Sequence, residues 1–358
     1  MLCSRSDPVR RFTATSVAPS PSMKKSPALL AAFAGICAST FAAETPPPPV
    51  AEKSAKEAKP KTSELPTPTM ADVAYGAHPK QVLHFWKADS AQPAPLLFFI
   101  HGGAWQNGNR ASGLTRLLPQ ILQAGISVVS IEYRFIAEAN LEGIKPPVKA
   151  PLHDAARALQ FVRSKAAEWN IDKTRIGASG SSAGACSSLW LAFHNDLADS
   201  KNSDPVARES TRLFCAAVTD AQTTLDPQQM REWTPNSKYG GHAFGFKEDK
   251  AAGVSQFQAF FDGREMILPW IAEFSPYALV TPDDAPVYLF YGAKPALGRD
   301  EKDPTHTANF GVKLQEKMLA TKVPCELVYP GALEVKHPTV AAYLIDKLKT
   351  PADGKSAK

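Results

Sequence analysis

A serine flanked by two glycines is the stretch of this sequence with the clearest chemical potential. Residues 180–184 read Gly-Ser-Ser-Ala-Gly, a Gly-x-Ser-x-Gly pattern with Ser182 at its centre. A serine on a tight turn from strand to helix has a strained backbone, and the residues two before and two after it must be small. The turn exposes the hydroxyl above the sheet, and the N–H groups of the new helix point at whatever it attacks. We therefore predict that Ser182 is a nucleophile.

The segment HGGAW at residues 101–105 follows an apolar run and could stabilise the negative charge that such an attack creates. Two glycines let the backbone approach a substrate closely and turn N–H groups toward it, with no side chain in the way. The predicted oxyanion donors are the N–H groups of Gly103, Ala104 and Ala183. We expect His101 to orient this loop rather than to carry a proton.

A serine nucleophile also needs a base and an acid that orients the base. Among the eight histidines, His337 follows the last predicted strand, at the edge where the carboxyl ends of the strands gather, and is the predicted base. The one rival is His306, which lies close to the acidic loop. That loop, after the penultimate predicted strand, carries three carboxylates that could orient the base: Asp300, Glu301 and Asp303.

The elements that must position these groups alternate between strand and helix. Residues 95–100 form a continuous apolar run, as expected of a strand that is buried on both faces. A weaker alternation at 81–88 predicts an edge strand, and the other predicted strands are 126–135, the run before Ser182, 213–220, 286–291 and 325–329. Amphipathic helices are predicted between them. This order predicts an α/β fold with a mostly parallel central sheet and helices on both faces.

Residues 221–281 interrupt the alternation. They are rich in aromatic side chains and too long for an unstructured connection, so we predict an ordered, cap-like insertion. An insertion after this strand emerges at the active-site edge of the sheet. The folded domain is predicted to span 70–349, followed by a disordered tail at 350–358.

The first 69 residues have a different character. Met23-Lys-Lys followed by an apolar run to residue 43 predicts a signal peptide at 23–43, which makes 1–22 a non-mature upstream segment. The apolar run is too short and too polar for a stable membrane span. Residues 44–69 are rich in Pro, Lys and Glu and predict a linker. The expected location is secreted or periplasmic.

Composition excludes several classes of function. The chain has a net charge of +5, but residues 1–69 hold nine Lys and Arg against five Asp and Glu, so the rest is almost neutral and nucleic acid is not an expected partner. Three cysteines remain after residue 43, all in apolar surroundings, and we expect them in the core. No Cys and His cluster has metal-ligand spacing, and no cofactor is predicted.

HGGAW after a buried strand, GSSAG at a turn, and the order serine, acid, histidine resemble the α/β-hydrolase superfamily. The similar branch has an HGG-type oxyanion loop and includes carboxylesterases, carbohydrate esterases and arylformamidases. The resemblance covers about 70–348 and implies an acid–base–nucleophile triad of Ser182, Asp303 and His337. Asp303 is favoured because relatives place the acid about seven residues before the first core-facing residue of the next helix, here Phe310. The loop after Gly292 is extended by about eight residues relative to the family.

The resemblance implies a secreted serine hydrolase that cleaves short acyl or aryl esters, including those on polysaccharide, through an acyl-enzyme intermediate. The expected partner is a small-molecule or oligosaccharide ester, contacted by Trp105 and Tyr133. Two alternatives stay open: an arylformamidase-like amide hydrolase, and a hydrolase fold that has lost catalysis and only binds ligands.

Overall fold

The computed structural model describes residues 65–350 of the chain. The predicted upstream segment at 1–22, the signal peptide at 23–43, most of the linker at 44–69 and all but the first residue of the tail at 350–358 lie outside the described residues. Those four assignments stay predictions.

The strands within residues 65–350 form a single sheet. They are β1 (Met70–Ala74), β2 (Val82–Trp86), β3 (Ala94–Ile100), β4 (Ser127–Ile131), β5 (Ile171–Ser181), β6 (Cys215–Thr219), β7 (Val287–Phe290) and β8 (Cys325–Val328). Their spatial order is β1-β2-β4-β3-β5-β6-β7-β8. The two pairs made by β2 are antiparallel and all the other pairs are parallel. The predicted mostly parallel sheet is confirmed.

The prediction that 81–88 is an edge strand is wrong. β2 pairs with β4 on one side and with β1 on the other, so β1 is the edge. The sequence of β1, MADVA, is short and without clear alternation, and its residues are exposed or only half-buried. Such a strand gives little pattern to detect, because an edge strand needs few apolar contacts to be held by its backbone hydrogen bonds.

Helices cover both faces of the sheet. They are α1 (Leu117–Gln123), α2 (Ile136–Leu141), α3 (Lys149–Ser164), α4 (Ala166–Trp169), α5 (Ala183–Phe193), α6 (Pro227–Trp233), α7 (Gln256–Asp262), α8 (Leu268–Phe274), α9 (Pro276–Leu279), α10 (Asn309–Ala320) and α11 (Val340–Lys349). The apolar residues of α1 and α11 share one core cluster, and those of α3, α5 and α10 share a larger one on the opposite face.

β3 is the centre of this arrangement because all seven of its residues are buried. Phe98 faces the larger cluster, and its neighbour Phe99 faces the cluster of α1 and α11. Truncating a buried phenylalanine of this kind costs about 3–5 kcal/mol of stability. β3, which leads into the HGGAW loop, therefore fixes the position at which that loop begins.

The predicted insertion at 221–281 is folded as short helices. It contains α6 to α9, together with two short 3-10 helices at Gly241–Phe244 and Arg264–Ile267. Several of its aromatic side chains belong to the larger core cluster, among them Trp233, Phe260 and Phe274. The insertion is thus packed into the main core and has no separate core of its own.

Residues 65–69, at the end of the predicted linker, contact the folded domain. Leu65 packs against the cluster of α1 and α11, and the Trp86 indole N–H donates to the Pro66 carbonyl over 2.8 Å. Thr69 accepts a hydrogen bond from the Lys87 N–H through its hydroxyl at 2.9 Å. Within residues 65–350, none of the helices has the length and apolar character needed to span a membrane.

Candidate active site

Ser182 lies at the turn between β5 and α5, as the sequence predicts. Its φ of 55° and ψ of −122° are unusual for a residue with a side chain. Such a conformation costs of the order of 1–3 kcal/mol and persists only where the surroundings enforce it. The Ser182 N–H donates to the Thr219 carbonyl at the end of β6 over 3.1 Å, which helps to hold the turn.

The two glycines of the motif are needed for close packing. A Cβ on Gly180 would collide with the Ile100 carbonyl and the Gly184 backbone, and a Cβ on Gly184 would collide with the carbonyls of Ile100 and His101. The turn therefore fits directly against the end of β3, where the HGGAW loop begins. This brings Ser182 and the predicted oxyanion loop together.

A chain of hydrogen bonds links Ser182 to His306 and Asp303. Ser182 Oγ lies 3.0 Å from His306 Nε2, and His306 Nδ1 lies 2.8 Å from Asp303 Oδ2. Both the histidine and the aspartate are on the loop between β7 and α10, three residues apart. A hydroxyl, an imidazole and a carboxylate in this order are the groups needed for nucleophilic acyl transfer.

The prediction that His337 is the base beside Ser182 is wrong. His337 Nδ1 lies 2.7 Å from a carboxylate oxygen of Glu326 in β8, and its Nε2 lies 3.1 Å from a carboxylate oxygen of Asp346 in α11. The Tyr288 hydroxyl donates to the His337 carbonyl over 3.0 Å. Only 6% of the His337 surface is exposed. Both ring nitrogens are occupied, so this histidine ties β8 to α11 and does not reach the turn.

Asp303 is on the predicted loop, but its partner is His306, so the prediction that it orients His337 is wrong. Burial raises the pKa of Asp303, and this is outweighed by the hydrogen bond from His306 and by its charge, so that the pKa is lowered. Neither Asp300 nor Glu301 hydrogen-bonds to His306; Glu301 accepts instead from the Thr307 hydroxyl at 3.1 Å. The eight-residue extension of this loop is the signal in the sequence that could have favoured His306 as the base, because a longer loop can bring its own histidine to Ser182.

The HGGAW loop has the backbone that the oxyanion role requires. Gly103, Ala104 and Trp105 have φ values of 110°, 54° and 53°, three left-handed residues in succession. Among residues 65–350, no protein acceptor takes the N–H of Gly103, Ala104 or Ala183. Successive N–H groups freed in this way form an anion-binding concavity. The assignment of these three N–H groups as oxyanion donors stays a prediction.

His101 supports the loop from beneath, in agreement with its predicted structural role. Its Nε2 lies 3.3 Å from Glu132 Oε1, its ring stacks on Tyr133 at a centroid distance of 4.3 Å, and both side chains are buried. Burial raises the pKa of Glu132, but the hydrogen bond and charge of His101 and the charge of Lys80 outweigh it, so the pKa is lowered. The loop is thus supported by a buried hydrogen bond between His101 and Glu132.

The prediction that Trp105 and Tyr133 contact substrate is wrong for this structure. Both side chains are fully buried, with 0% of their surface exposed. The Trp105 indole N–H donates to the Ser187 hydroxyl of α5 over 2.9 Å, and the Tyr133 hydroxyl donates to the His101 carbonyl over 2.8 Å. These aromatic residues fix the loop from below. An aromatic side chain next to a glycine-rich loop does not reveal in sequence which side of the loop it lies on.

The geometry of these groups agrees with the comparisons to known proteins. The model of the family BD-FAE matches residues 84–302, more than half of the chain. The chain belongs to the BD-FAE family. The predicted resemblance to the carboxylesterase branch of the α/β-hydrolases is confirmed.

Curated relatives match shorter parts of this BD-FAE chain. It is 32% identical over 116 residues to Esterase LipC of Mycobacterium tuberculosis, covering 31% of this chain and 27% of the relative. It is 30% identical over 134 residues to Kynurenine formamidase of Debaryomyces hansenii, covering 36% of this chain and 41% of the relative. The chain therefore matches less than half of the length of either relative.

Solved structures confirm the predicted α/β-hydrolase fold. The acetyl ester-xyloside bifunctional hydrolase from Caldicellulosiruptor lactoaceticus has a TM-score of 0.51 and 24% identity, covering 69% of this chain and 77% of the other. A truncated carbohydrate esterase from gut microbiota has a TM-score of 0.54 and 19% identity, covering 73% and 86%.

The BD-FAE chain has a cavity of about 340 Å³ beside His306. It is lined by Ser181, Asp220, Gly292, Ala293, Asp303 and His306. Asp220 directly follows β6 with a φ of 51°, and its Oδ1 accepts from the Gly292 N–H over 3.3 Å. Burial raises the pKa of Asp220, and Asp303 adds to the rise. The cavity walls are therefore polar at the point where the histidine faces Ser182.

A second cavity of about 280 Å³ lies between α1 and α11. Its lining residues include Phe99, Leu117 and Val340 together with Arg116 and Gln120. Ser181, the residue before Ser182, lines both cavities.

Proposed function

We propose that the protein is a serine hydrolase that cleaves carboxylic esters through an acyl-enzyme intermediate. The observation that carries this proposal is the line of hydrogen bonds from Ser182 Oγ to His306 Nε2 and from His306 Nδ1 to Asp303. The names of similar proteins support it, since Esterase LipC and the carbohydrate esterase from gut microbiota are both described as esterases.

In the first half of the reaction, Ser182 Oγ attacks the ester carbonyl carbon while His306 Nε2 takes the hydroxyl proton. The Asp303 carboxylate accepts the Nδ1–H bond and stabilises the imidazolium that forms. The negative charge on the former carbonyl oxygen is met by the N–H groups of Gly103, Ala104 and Ala183, which are preorganised by the strained loop.

The intermediate collapses when the bond from carbon to the alcohol oxygen breaks and His306 Nε2 gives its proton to that oxygen. The alcohol leaves and the acyl group stays on Ser182. A water molecule then gives a proton to His306 and its oxygen attacks the acyl carbon. Loss of Ser182 Oγ from the second tetrahedral intermediate, with return of the proton, releases the acid and restores the enzyme.

The order of proton transfers in this reaction determines on which side of Ser182 the alcohol must lie. Its oxygen receives the proton from His306 Nε2, so the alcohol occupies the space beside His306, where the cavity of about 340 Å³ lies. The walls there offer the Asp220 carboxylate and the Ser181 hydroxyl, which suit an alcohol with further hydroxyl groups. We therefore propose a small-molecule or oligosaccharide ester as the substrate, acted on in a secreted or periplasmic location if 23–43 is a signal peptide.

The sequence after residue 69 has no long, uniformly aliphatic segment that could line an acyl tunnel, and this favours short acyl groups. A compact pocket gains about 0.8 kcal/mol for each buried methylene only until it is full. Acetate or butyrate esters should therefore give a higher kcat/KM than octanoate. The measurement is hydrolysis of the three p-nitrophenyl esters by the purified chain. An octanoate ester that is the best of the three by about tenfold would contradict the preference.

The experiment that tests the function itself compares acetylated and feruloylated oligosaccharides with the p-nitrophenyl esters. We expect turnover of at least one class by the wild-type chain and none by Ser182→Ala. An acyl group should be trapped on Ser182 and found there by mass spectrometry. Wild-type protein that hydrolyses no ester, or equal turnover by Ser182→Ala, would refute the proposal.

A second candidate is an arylformamidase-like amide hydrolase. It is favoured by the 30% identity over 134 residues to a protein named Kynurenine formamidase. The same nucleophile, base and oxyanion donors would serve an N-formyl aryl amine, with the amine as leaving group. A higher kcat/KM for N-formylkynurenine than for every ester would favour this function. A fold that only binds ligands is not favoured, because Ser182 and His306 are in contact.

A further inference from the structure

Asp303 and His306, the acid and the base of the proposed reaction, lie on the same loop. Residues 291–308, between β7 and α10, contain no regular helix or strand, and both Asp303 and His306 belong to them. A loop of this length has no hydrogen-bond ladder to fix its path. What holds the loop therefore determines whether His306 Nε2 meets Ser182 Oγ.

The strongest contact comes from Asn309, the first residue of α10, which is fully buried. Its Oδ1 accepts from the Ala296 N–H over 2.7 Å. Its Nδ2 donates to the Trp233 carbonyl and to the Thr234 hydroxyl, both over 2.9 Å. One side-chain amide thus connects the middle of the loop to the end of α6 in the insertion.

A second contact comes from the insertion itself. Asn236 Oδ1 accepts from the Glu301 N–H at 3.1 Å, and Asn236 Nδ2 donates to the Glu301 carbonyl at 2.8 Å. The pair fixes the peptide groups on either side of Glu301, two residues before Asp303. The Gly298 N–H also donates to the Trp233 carbonyl over 3.0 Å.

A third contact lies next to the base. Gln222 is fully buried and follows β6. Its Nε2 donates to the Thr305 carbonyl over 2.7 Å and to the Asp220 carbonyl over 3.2 Å. The residue before His306 is therefore tied to the end of the strand whose Thr219 carbonyl holds the Ser182 N–H. This bond connects the backbone of the base to the backbone of the nucleophile.

We propose that the start of the helical insertion is a positioning device for the base, in which Asn236, together with Asn309 and Gln222, holds the loop that carries Asp303 and His306. This inference rests on the proposed function, because it assigns a role to side chains around the same nucleophile. The insertion then acts on the acid and base through the loop and need not cover the site. A displacement of about 1 Å in a reacting group can cost about 100-fold in rate, so a few loop contacts suffice.

Asn236 allows a test in which the fold is not at risk, since its side chain is exposed. Asn236→Ala removes both bonds to Glu301. We expect kcat to fall about tenfold, equivalent to about 1.4 kcal/mol, while KM and the melting temperature stay close to wild type. Asn236→Asp keeps the acceptor for the Glu301 N–H and should recover part of the loss. Asn309→Ser should lower kcat by about 100-fold.

Asn140→Ala is the matched control, because Asn140 is also exposed and its side chain makes no hydrogen bond among residues 65–350. A fluorophosphonate probe gives a readout that does not depend on the ester chosen, since its rate of reaction with Ser182 reports how well the base activates the hydroxyl. The variants should lose labelling rate in the order Asn309→Ser, Asn236→Ala, Asn236→Asp, with Asn140→Ala unchanged.

The two proposals fail in different ways. A wild-type chain that is labelled on Ser182 but cleaves no ester would refute the proposed function, and the order of labelling rates would still decide the positioning role. Asn236→Ala and Asn309→Ser proteins that are labelled at the wild-type rate would overturn the positioning role. So would a loss that appears only in KM, or one explained by a lower melting temperature.

Discussion

Two histidines of this chain have the same kind of partner on Nδ1 and opposite partners on Nε2. His306 and His337 each place Nδ1 within 2.8 Å of a carboxylate oxygen. On the other nitrogen, His306 meets the Ser182 hydroxyl and His337 meets the Asp346 carboxylate. His306 has 36% of its side chain exposed beside a cavity, and His337 has 7%.

A carboxylate next to a histidine does not by itself identify a general base, because it is equally suited to a structural ion pair. A base needs a free acceptor nitrogen that faces the nucleophile, and an open space where substrate can lie. His337 has a carboxylate oxygen beside each ring nitrogen, so neither nitrogen faces a hydroxyl. The predictions below test this contrast.

The largest effect should come from the predicted nucleophile, which is needed whether His306 or His337 is the base. Ser182→Ala removes the attacking oxygen and should lower kcat by about 10⁴–10⁶-fold. Ser164→Ala, at the exposed end of α3, is the control and should leave kcat unchanged. A Ser182→Ala protein with substantial turnover, beside a Ser181→Ala protein with none, would move the nucleophile by one residue.

Separate replacement of the two histidines tests directly which of them acts as the base. His306→Asn should lower kcat by about 10⁴-fold with little change in stability, because it removes the proton acceptor. His337→Asn should leave kcat close to wild type and lower the free energy of unfolding by about 1–3 kcal/mol, because two carboxylates lose a hydrogen-bond partner. The measurements are steady-state kinetics and urea unfolding. The reverse pattern would restore His337 as the base.

The acid can be tested in the same manner. Asp303→Asn should lower kcat by about 10³-fold, because an amide can donate to Nδ1 and favour the wrong tautomer of His306. The expected loss is smaller than for the histidine because 62% of the Asp303 side chain is exposed and water can replace part of its effect. Asp300→Asn serves as the control and should be near neutral. Equal losses of kcat in both variants would contradict the structure, in which Asp303 and not Asp300 contacts His306.

The smallest effect concerns the pH dependence of the His337 contacts. Burial raises the pKa of Asp346, but the charge and hydrogen bond of Lys336, with those of His337, outweigh it, so the pKa is lowered. A lowered folded-state pKa gives a stabilisation that is complete above the unfolded value and is lost as pH falls through the folded value. Because Asp346 is 45% exposed, screening limits this to about 0.5 kcal/mol.

Asp346→Asn should therefore lower the free energy of unfolding at about pH 7 and have no such effect at about pH 2, below the ordinary range for a carboxyl. Urea unfolding at the two pH values measures the difference. A loss that is equal at both would show that the aspartate acts by packing and not by charge.

The sequence was sufficient for the parts of the molecule that depend on local pattern. The apolar run of β3, the glycines around Ser182 and the glycines of the oxyanion loop each have one physical reason and one place in the fold. The base could not be chosen in this way. The choice between His306 and His337 depends on the paths of two loops. The loop of His306 is held by contacts between residues far apart in sequence, such as those of Asn309 with Trp233 and Thr234.

Local sequence pattern also could not predict whether these aromatic side chains are buried. Trp105 and Tyr133 could have lain above or below the oxyanion loop, and only the packing of Ser187 and His101 against them decides. The same is true of β1, whose five residues become a strand because β2 offers it a free edge.

The exposed loop between β8 and α11 is a place where the chain can be cut into two fragments. Residues 333–336 are all exposed, with Leu333 at 89%, and every group assigned to the reaction lies between Gly103 and His306. A protease cut at Lys336 would leave those groups on one uninterrupted fragment. The other fragment, which carries α11, would stay bound through the buried side chains of Tyr343, Leu344 and Leu348. The chain is thus suited to fragment complementation, in which a short helical peptide restores the fold without contributing any of the groups assigned to the proposed reaction.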